Sequence, residues 1–414
     1  GRELPLYSRL VEAQAPRAIV LSGRVDGTLD DLRDGDLRWE DFLREGDGFS
    51  AVARSPDEIT NILFSSGTTG APKALPWTHI HPIKCGADAH YHQDVHPGDV
   101  VAWPTNLGWM MGPWLIYAAF LNRATMALYY GAPTERGFGE FIRDAEVSML
   151  GVIPSMVRTW RGTGCMEGID FSAICAFSAT GECSNAEDMH YLMALSGYRP
   201  ILEYCGGTEL AGGYLLSTLV KPVAPSTFNS ATLGTDLVIL DEAGEVCDRG
   251  EVFLLPPAIG MSSQVLNRDH HEVYYEGVPG LHGVPLRRHG DQVERLSPGR
   301  YRVHGRADDT MNLGGIKVSS AEIERVVNGI DGVVETAAIA VPPPGGGPSL
   351  LVVYAVLDGG GDDWQDTMQQ VLRGELNPLF KIHEVVVVEA LPRTASNKVM
   401  RRVLREMHGR DEET

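Results

Sequence analysis

Residues Phe64 to Lys73 read Phe-Ser-Ser-Gly-Thr-Thr-Gly-Ala-Pro-Lys and follow directly on the apolar run Ile59-Thr60-Asn61-Ile62-Leu63. An apolar, β-branched segment that stops at small hydroxyl residues and glycines reads as a buried strand delivering a tight loop. Ser65 leads into the turn, and Ser66, Thr68 and Thr69 can donate hydrogen bonds to phosphate oxygens. Gly67 and Gly70 let backbone N–H groups turn inward at no steric cost, and Lys73 adds a cation, so the loop has the parts of a phosphate cradle. It is not the common nucleotide loop, which spaces its glycines more widely and ends in Gly-Lys-Ser/Thr, whereas Pro72 precedes Lys73 here. Alone, such a Ser/Thr/Gly string also suits an ordinary turn.

Bulk properties narrow the partners. At 414 residues the chain is too long for one ordinary core and reads as two domains, one of them large. Hydrophobic content of 43% and charged content of 22% describe a soluble globular protein. A net charge of -20 argues against nucleic acid or an anionic membrane as partner, since either needs a basic face. Cys85, Cys165, Cys175, Cys183, Cys205 and Cys247 form no Cys-x-x-Cys pair, a spacing that suits a reducing compartment, and the cytoplasm is the expected location. The apolar stretch from Gly108 to Leu121 falls short of the ~20 residues a membrane span requires and reads as a core helix. The chain opens on Gly1, and a partial or processed chain is expected.

From Ile59 onward short β-branched runs alternate with longer amphipathic ones. Strands are expected at Asp99–Trp103, Thr125–Tyr130, Met149–Ile153 and Ile174–Ser178. Helices are expected at Gly108–Leu121, Gly137–Glu146, Ser155–Arg161 and Asn185–Ser196. This alternation implies an α/β fold with a mostly parallel sheet and helices on its faces. Ligands of such sheets gather beyond the strand C-termini. Thr235–Leu240 and Glu251–Leu255 read as an antiparallel hairpin, part of a small barrel or distorted sheet, and Tyr301–His304 as a further short strand. After Gly315 a compact α+β unit follows. Ser319 and Glu322 form a capping box, Thr336–Val341, Leu350–Leu357 and Val385–Val388 are strands, and Trp364, Met368, Val371 and Leu372 share one helical stripe.

Further motifs, in order, carry a resemblance. Thr180-Gly181-Glu182 stands at a strand end, Glu203-Tyr204-Cys205-Gly206-Gly207-Thr208-Glu209 follows, then His289-Gly290-Asp291, Gly305-Arg306-Ala307-Asp308-Asp309 and Pro392-Arg393-Thr394-Ala395-Ser396-Asn397-Lys398. With the Phe64–Lys73 loop these resemble the motifs of the adenylate-forming enzymes, the superfamily of acyl-CoA synthetases, peptide-synthetase adenylation domains and beetle luciferases. Gly108-Trp109-Met110-Met111-Gly112-Pro113-Trp114 resembles most the plant-type, acetyl-CoA-synthetase-like acyl-activating branch.

The resemblance implies a large AMP-binding domain over 1–306, partial because much of the family's first subdomain is absent, and a small mobile domain over 307–414 turning at Asp308. It implies ATP, Mg²⁺ and CoA as ligands. Ser65, Ser66, Gly67, Thr68, Thr69, Gly70 and Lys73 would hold phosphates, and Gly181, Glu182, Cys205 and Gly206 would lie on the adenine and acyl side. Thr208 would bond the α-phosphate and Glu209 would hold Mg²⁺, an oxygen ligand being what a hard cation prefers. Asp291 would accept the ribose hydroxyls, Arg306 would donate to ribose or phosphate, and Gly315 and Lys317 would lie beside the thiol tunnel and the phosphate. Lys398 would bridge the carboxylate and the α-phosphate.

Cys205 replaces the family's stacking tyrosine, and Tyr204, one residue away on a strand, would face the other way. Gly206 replaces the tryptophan that closes the pocket of acetate-specific relatives, so an acid larger than acetate is expected. Asn397 replaces a common glycine. The function expected is activation of a carboxylic acid to acyl-AMP with pyrophosphate release, then transfer to CoA. Transfer to a carrier protein, and a catalytically silent nucleotide-binding module, are the alternatives. His79, His81, His90, His92 and His96 lack a metal-site spacing. Asp269, His270 and His271 read as a surface loop.

Overall fold

The computed structural model describes residues 6–21, 32–43, 46, 48, 50–65, 72–313, 316–341, 349–359, 363–393 and 398–411. The chain divides into two compact units, residues 1–55 and 56–414. In the first, Asp36 gathers the chain: it accepts from Tyr7 Oη at 2.6 Å, Arg33 Nε at 2.9 Å and the Ala18 N–H at 2.7 Å.

The second unit is built on a seven-stranded sheet. Its spatial order runs Ser230–Ala231, Gly212–Leu216, Ile201–Gly207, Ala176–Ala179, Met149–Val152, Val100–Ala102 and Thr125–Ala127. The last five of these are mutually parallel, and the first two add antiparallel edges. The parallel strands are short, and Met149–Val152 and Ala176–Ala179 are buried throughout, the mark of strands covered on both faces. Phe138, Ile142, Val157, Trp160 and Leu192, from the helices Arg136–Asp144, Pro154–Thr163 and Ala186–Leu195, form one core. Cys85, Ala89, Trp114, Leu115 and Ala118, from His81–Tyr91 and Met111–Leu121, form another.

Every element of the expected alternation is present, with ends displaced by a few residues. No helix among the described residues is long and apolar enough to cross a membrane.

The Ile59–Leu63 run departs from its reading as a buried strand. Ile59–Ser65 is one arm of a two-stranded antiparallel hairpin with Lys73–Thr78, outside the seven-stranded sheet. Leu63 is 5% exposed, but Ile59, Ile62 and Phe64 are 46%, 45% and 63% exposed. The inner arm supplies the buried face through Leu75 and Trp77, so apolar content here did not mean burial.

A four-stranded antiparallel sheet follows, ordered Asp236–Leu240, Arg249–Leu255, Arg287–Ser297 and Arg300–Arg306. The C-terminal portion opens on the paired strands Thr310–Leu313 and Ile316–Ser319 and the helix Ser320–Val327. Val333–Val341 and Leu350–Leu357 pair antiparallel, and Ile382–Val387 joins in parallel. Ile323, Val327, Val353, Met368 and Leu372 form its core. The capping box is present: Ser319 Oγ accepts from the Glu322 N–H, and Glu322 Oε2 accepts from the Ser319 N–H at 2.9 Å. The other oxygen, Oε1, takes Arg249 Nη2 at 2.7 Å, so the same carboxylate ties this helix to the antiparallel sheet.

Ser319→Ala removes one side of the box and is expected to lower stability by about 1 kcal/mol. Denaturant unfolding measures the loss, and faster amide exchange in the first turn of Ser320–Val327 locates it.

Candidate functional site

The proposed phosphate loop closes the Ile59–Ser65 and Lys73–Thr78 hairpin, with Ser65 and Lys73 as its last paired residues. Ser66, Gly67, Thr68, Thr69 and Gly70 lie outside the described residues, as does Gly315, and so does the side chain of Lys317. Ser65 Oγ is buried and has no hydrogen-bond partner among the described residues. Asn267 holds the main chain on either side of Lys73, accepting from the Ala74 N–H at 2.9 Å and donating to the Pro72 carbonyl at 2.8 Å.

Thr208 and Glu209 sit on the short 3-10 turn Thr208–Leu210 that ends the strand Ile201–Gly207. Trp77 Nε1 donates to the Thr208 carbonyl at 2.8 Å, which joins this turn to the hairpin. Glu209 is buried, and its Oε1 lies 4.0 Å from Lys73 Nζ. Burial alone raises the Glu209 pKa, but the charges of Lys73, His289 and Arg287 outweigh it and bring the carboxyl down to about 2. Lys73 is pushed down by burial and by the neighbouring Arg306, Arg287 and Arg268, against the pull of Glu209. A chain of strongly negative net charge thus concentrates cations at one buried place, which suits a polyanion.

Asp291 and Arg306 are register partners on adjacent strands. Asp291 Oδ2 accepts from Tyr214 Oη at 2.9 Å and lies 3.3 Å from His289 Nε2, and Arg306 Nη1 donates to Oδ1 at 3.1 Å. Desolvation opposes ionisation of Asp291, yet His289, Arg306 and the tyrosine hydroxyl hold it well below the usual carboxylate range. Gly290 has φ +87°, and a Cβ there would stand 2.6 Å from Arg306 Nη2, so glycine is what lets the guanidinium pass. Lys73, Thr208, Glu209, Asp291 and Arg306 therefore converge, linked by His289.

Cys205 faces the same cluster, with Sγ 3.4 Å from Tyr214 Oη and 3.6 Å from Asp291 Oδ2, and burial pushes its thiol pKa well up. Tyr204 points the other way, as alternation requires. Its hydroxyl donates to Asp88 Oδ2 at 3.1 Å, where Asp88 also takes Lys84 Nζ at 2.6 Å and the Gly213 N–H at 2.9 Å. Gly206 does not vacate space for a larger acid. A Cβ at that position would lie 2.0 Å from the Gly212 carbonyl oxygen, so its glycine is set by the close approach of two strands.

Gly181 and Glu182 lie at the C-terminal end of Ala176–Ala179. Glu182 accepts from the Ser155 N–H at 3.0 Å and from Ser155 Oγ at 3.2 Å, at the first turn of Pro154–Thr163. Ser155 and Ile153 also line a cavity of ≈ 540 Å³ walled by Trp103, Trp109, Tyr129 and Phe138, with Glu335 and Arg393 of the C-terminal portion on its lining. Lys398 is exposed, next to the Arg393 and Val399 bridge that flanks residues 394–397. Those four residues lie outside the described set.

Sequence reasoning missed Tyr274, Arg287, Tyr214, Lys84 and Asp88. Asp269, His270 and His271 do not form a loop: they begin the short helix His270–Tyr274, in which Asp269 is the N-cap and Tyr274 the residue delivered to the site. His81 and His92 each serve the backbone, at the Thr78 and Leu233 N–H groups. Arg287 sits in the charged string Arg287-Arg288-His289, which has no apolar periodicity to mark it as a strand. The one available signal was its adjacency to Gly290-Asp291.

Comparison with known proteins fits this arrangement. The AMP-binding enzyme family matches residues 9–257, and the AMP-binding enzyme C-terminal domain matches residues 322–398. "Probable acyl-activating enzyme 17, peroxisomal" of Arabidopsis thaliana is 50% identical over 98% of this chain and 58% of its own length. Hexanoyl-CoA synthase of Cannabis sativa is 49% identical over 98% of this chain and 59% of its own. Among solved structures, acetoacetyl-CoA synthetase from Streptomyces lividans superposes with a TM-score of 0.78 at 26% identity, over 90% of this chain and 58% of that one. The chain thus spans under two thirds of the length of these relatives.

Two residues before Cys205, the buried Glu203 accepts from Ser184 Oγ at 2.7 Å and the Ser226 N–H at 3.0 Å, and desolvation pushes its pKa from the ordinary 4.5 to about 7. A carboxyl raised in the folded state binds its proton more tightly there than in the unfolded chain. Its contribution to stability is full below about 4.5 and is lost as pH rises through about 7. Glu203→Gln is therefore expected to gain stability on wild type across that window and to hold a constant difference above it. Unfolding titrations at stepped pH decide this, and a pH-independent difference contradicts it.

Proposed function

Because the chain belongs to the AMP-binding enzyme family, we propose that it takes part in an acid–thiol ligation: a carboxylic acid is activated with ATP, and the acyl group passes to the thiol of CoA. In the first step a carboxylate oxygen bonds to the α-phosphorus, the bond to the β-phosphate oxygen breaks, and pyrophosphate leaves. In the second the CoA sulfur, having lost its proton, attacks the acyl carbonyl carbon and expels AMP. The observation that carries this reading is the meeting of Lys73 and Glu209 with Asp291 and Arg306 in one cation-rich cluster at the Ser65–Lys73 end of the hairpin.

Phosphoryl transfer needs positioning and charge neutralisation more than covalent help, and the cluster offers both. In this proposal Thr208 and Lys73 bind phosphate, Arg306 and Asp291 serve the ribose side, and Gly181, Glu182, Cys205 and Gly206 border the base. The orphaned Ser65 hydroxyl, buried at the loop's edge, fits a phosphate acceptor. Glu209, ionised and buried, would hold Mg²⁺ beside phosphate oxygens, the ion supplying neutralisation of polyphosphate charge. Lys398 would reach the α-phosphate by rotation of the C-terminal portion about Asp308, and the same motion would bring Gly315 and Lys317 to the site.

The ≈ 540 Å³ cavity, sharing Ser155 with Glu182 and Arg393 with the C-terminal portion, supports a route for the acceptor thiol's arm. We read the acid as larger than acetate. Gly206 does not support that, whereas likeness to a protein named hexanoyl-CoA synthase does. The six unpaired cysteines favour a reducing compartment such as the cytoplasm.

The test is pyrophosphate release across a panel of carboxylic acids, with and without CoA. Acid-dependent release that falls on the order of a hundredfold or more in Lys398→Ala is the expected result. CoA consumption in step with release identifies the acceptor. Release indifferent to the acid contradicts the reading.

A further inference from the structure

Tyr274 and Arg287 form a buried pair that the reaction described above leaves unused. Tyr274 is held by the His270–Tyr274 helix with its hydroxyl 3.3 Å from Lys73 Nζ, close enough to accept from it. The Arg287 guanidinium lies over the tyrosine ring at 3.9 Å from its centroid, and Lys73 Nζ stands 4.7 Å from the same centroid. Arg287 is 1% exposed and donates to Ser262 Oγ at 2.7 Å, while the Ser262 N–H donates to the Glu209 carbonyl at 2.7 Å.

A buried guanidinium is costly unless its charge and all its N–H groups are met. Here no carboxylate among the described residues lies within ion-pairing distance of Arg287, and its Nε has no hydrogen-bond partner. Arg287 and Lys73 together surround Glu209 with more positive charge than one carboxylate balances. Asp291, the other buried carboxylate of the cluster, is engaged by His289, Tyr214 and Arg306, so a further anion would supply the partner that Arg287 lacks. The order of contacts says which part of the nucleotide it belongs to. Tyr274, Lys73 and Glu209 lie at the end of the cluster that the Lys73–Thr78 strand reaches, and His289, Asp291, Tyr214 and Cys205 lie at the other.

We propose that Tyr274 is a further pyrophosphate-contacting residue of this site, its hydroxyl donating to a phosphate oxygen beside Lys73, and that Arg287 is the positioning residue that holds it there. This rests on the nucleotide reading given above and deepens it. Arg287 fixes the ring by stacking on one face, and its Ser262 bond ties that stack to the turn carrying Glu209. The hydroxyl contact belongs to the leaving group, so the pair acts on pyrophosphate and leaves AMP alone.

The experiment is calorimetric titration of the chain with magnesium pyrophosphate and, separately, with AMP, in wild type, Tyr274→Phe, Arg287→Lys and Asp291→Ala. Tyr274→Phe keeps the ring and its stack, so folding is preserved. The expected result is a Kd for pyrophosphate weakened about tenfold in Tyr274→Phe, with AMP affinity unchanged. Arg287→Lys keeps the charge and loses the planar stack, and it should weaken pyrophosphate severalfold, again sparing AMP. Asp291→Ala should do the reverse. Unchanged pyrophosphate binding in Tyr274→Phe, or equal losses for both ligands, overturns the proposal. If Asp291→Ala still weakens AMP in that case, the nucleotide reading stands without it. If wild type binds neither ligand, both fall.

Discussion

A carboxylate buried at the end of the strand Ile201–Gly207 governs the arrangement around it. Glu209 can stay ionised out of water only if positive charge is brought to it, and the unit supplies that charge from two elements. Lys73 comes from the hairpin, Arg287 from the antiparallel sheet, and His289 from the same strand two residues on. None of these is near Glu209 in sequence, so the hairpin, the parallel sheet and the antiparallel sheet must pack together before the charge is balanced. The turn also uses its main chain: Trp77 Nε1 takes the Thr208 carbonyl and the Ser262 N–H takes that of Glu209. The turn that carries Glu209 is thereby also the joint of three substructures.

The opposite face of the same strand carries a second buried charge with a different solution. Lys84 and Asp88, one turn apart on His81–Tyr91, neutralise each other at 2.6 Å, and the spare oxygen of Asp88 takes both Tyr204 Oη and the Gly213 N–H. Lys84, Asp88, Tyr204 Oη and the Gly213 N–H partner one another, which makes the group a clamp on the strand pair. Around Glu209 the account stays open, with Arg287 Nε and Ser65 Oγ unpartnered among the described residues. That contrast between a closed network and an open one, across a single strand, separates scaffold from site.

Elements with a clear apolar period were legible. The alternating runs between Asp99 and Ser196 and the capping box at Ser319 and Glu322 needed no tertiary information, because pattern and cap chemistry agreed. The illegible elements are those whose burial is polar. His81–Tyr91 carries buried Lys84, Asp88 and His81 beside Cys85 and Ala89, so its inward face has no apolar stripe. Arg287–Ser297 is charged along most of its length and is a strand because its neighbours on the sheet are. The Ile59–Leu63 run errs the other way, apolar yet largely exposed. Site positions were read from motif order, and the support that holds them, Tyr274, Arg287 and Tyr214, was not, since it lies in stretches where the charge pattern resembles a surface.

Cys205 shows how such support accounts for a departure from the family pattern. Its thiol is held protonated by burial, so it offers neither a nucleophile nor a metal ligand, and its chemistry does not explain its place. Its size does. Sγ already stands 3.4 Å from Tyr214 Oη and 3.6 Å from Asp291 Oδ2, and an aromatic ring in that direction would occupy the ground where those two atoms meet at 2.9 Å. A small residue at 205 and a tyrosine at 214 are therefore one choice: the ring comes from the adjoining strand, and its hydroxyl is spent on Asp291. Tyr214 is fully buried and packs against His289 at 4.4 Å between centroids, so it orders the carboxylate and offers no open face for stacking. At the end of the cluster away from Lys73, the place a stacking ring would take is held by a hydrogen-bonded, ionised Asp291.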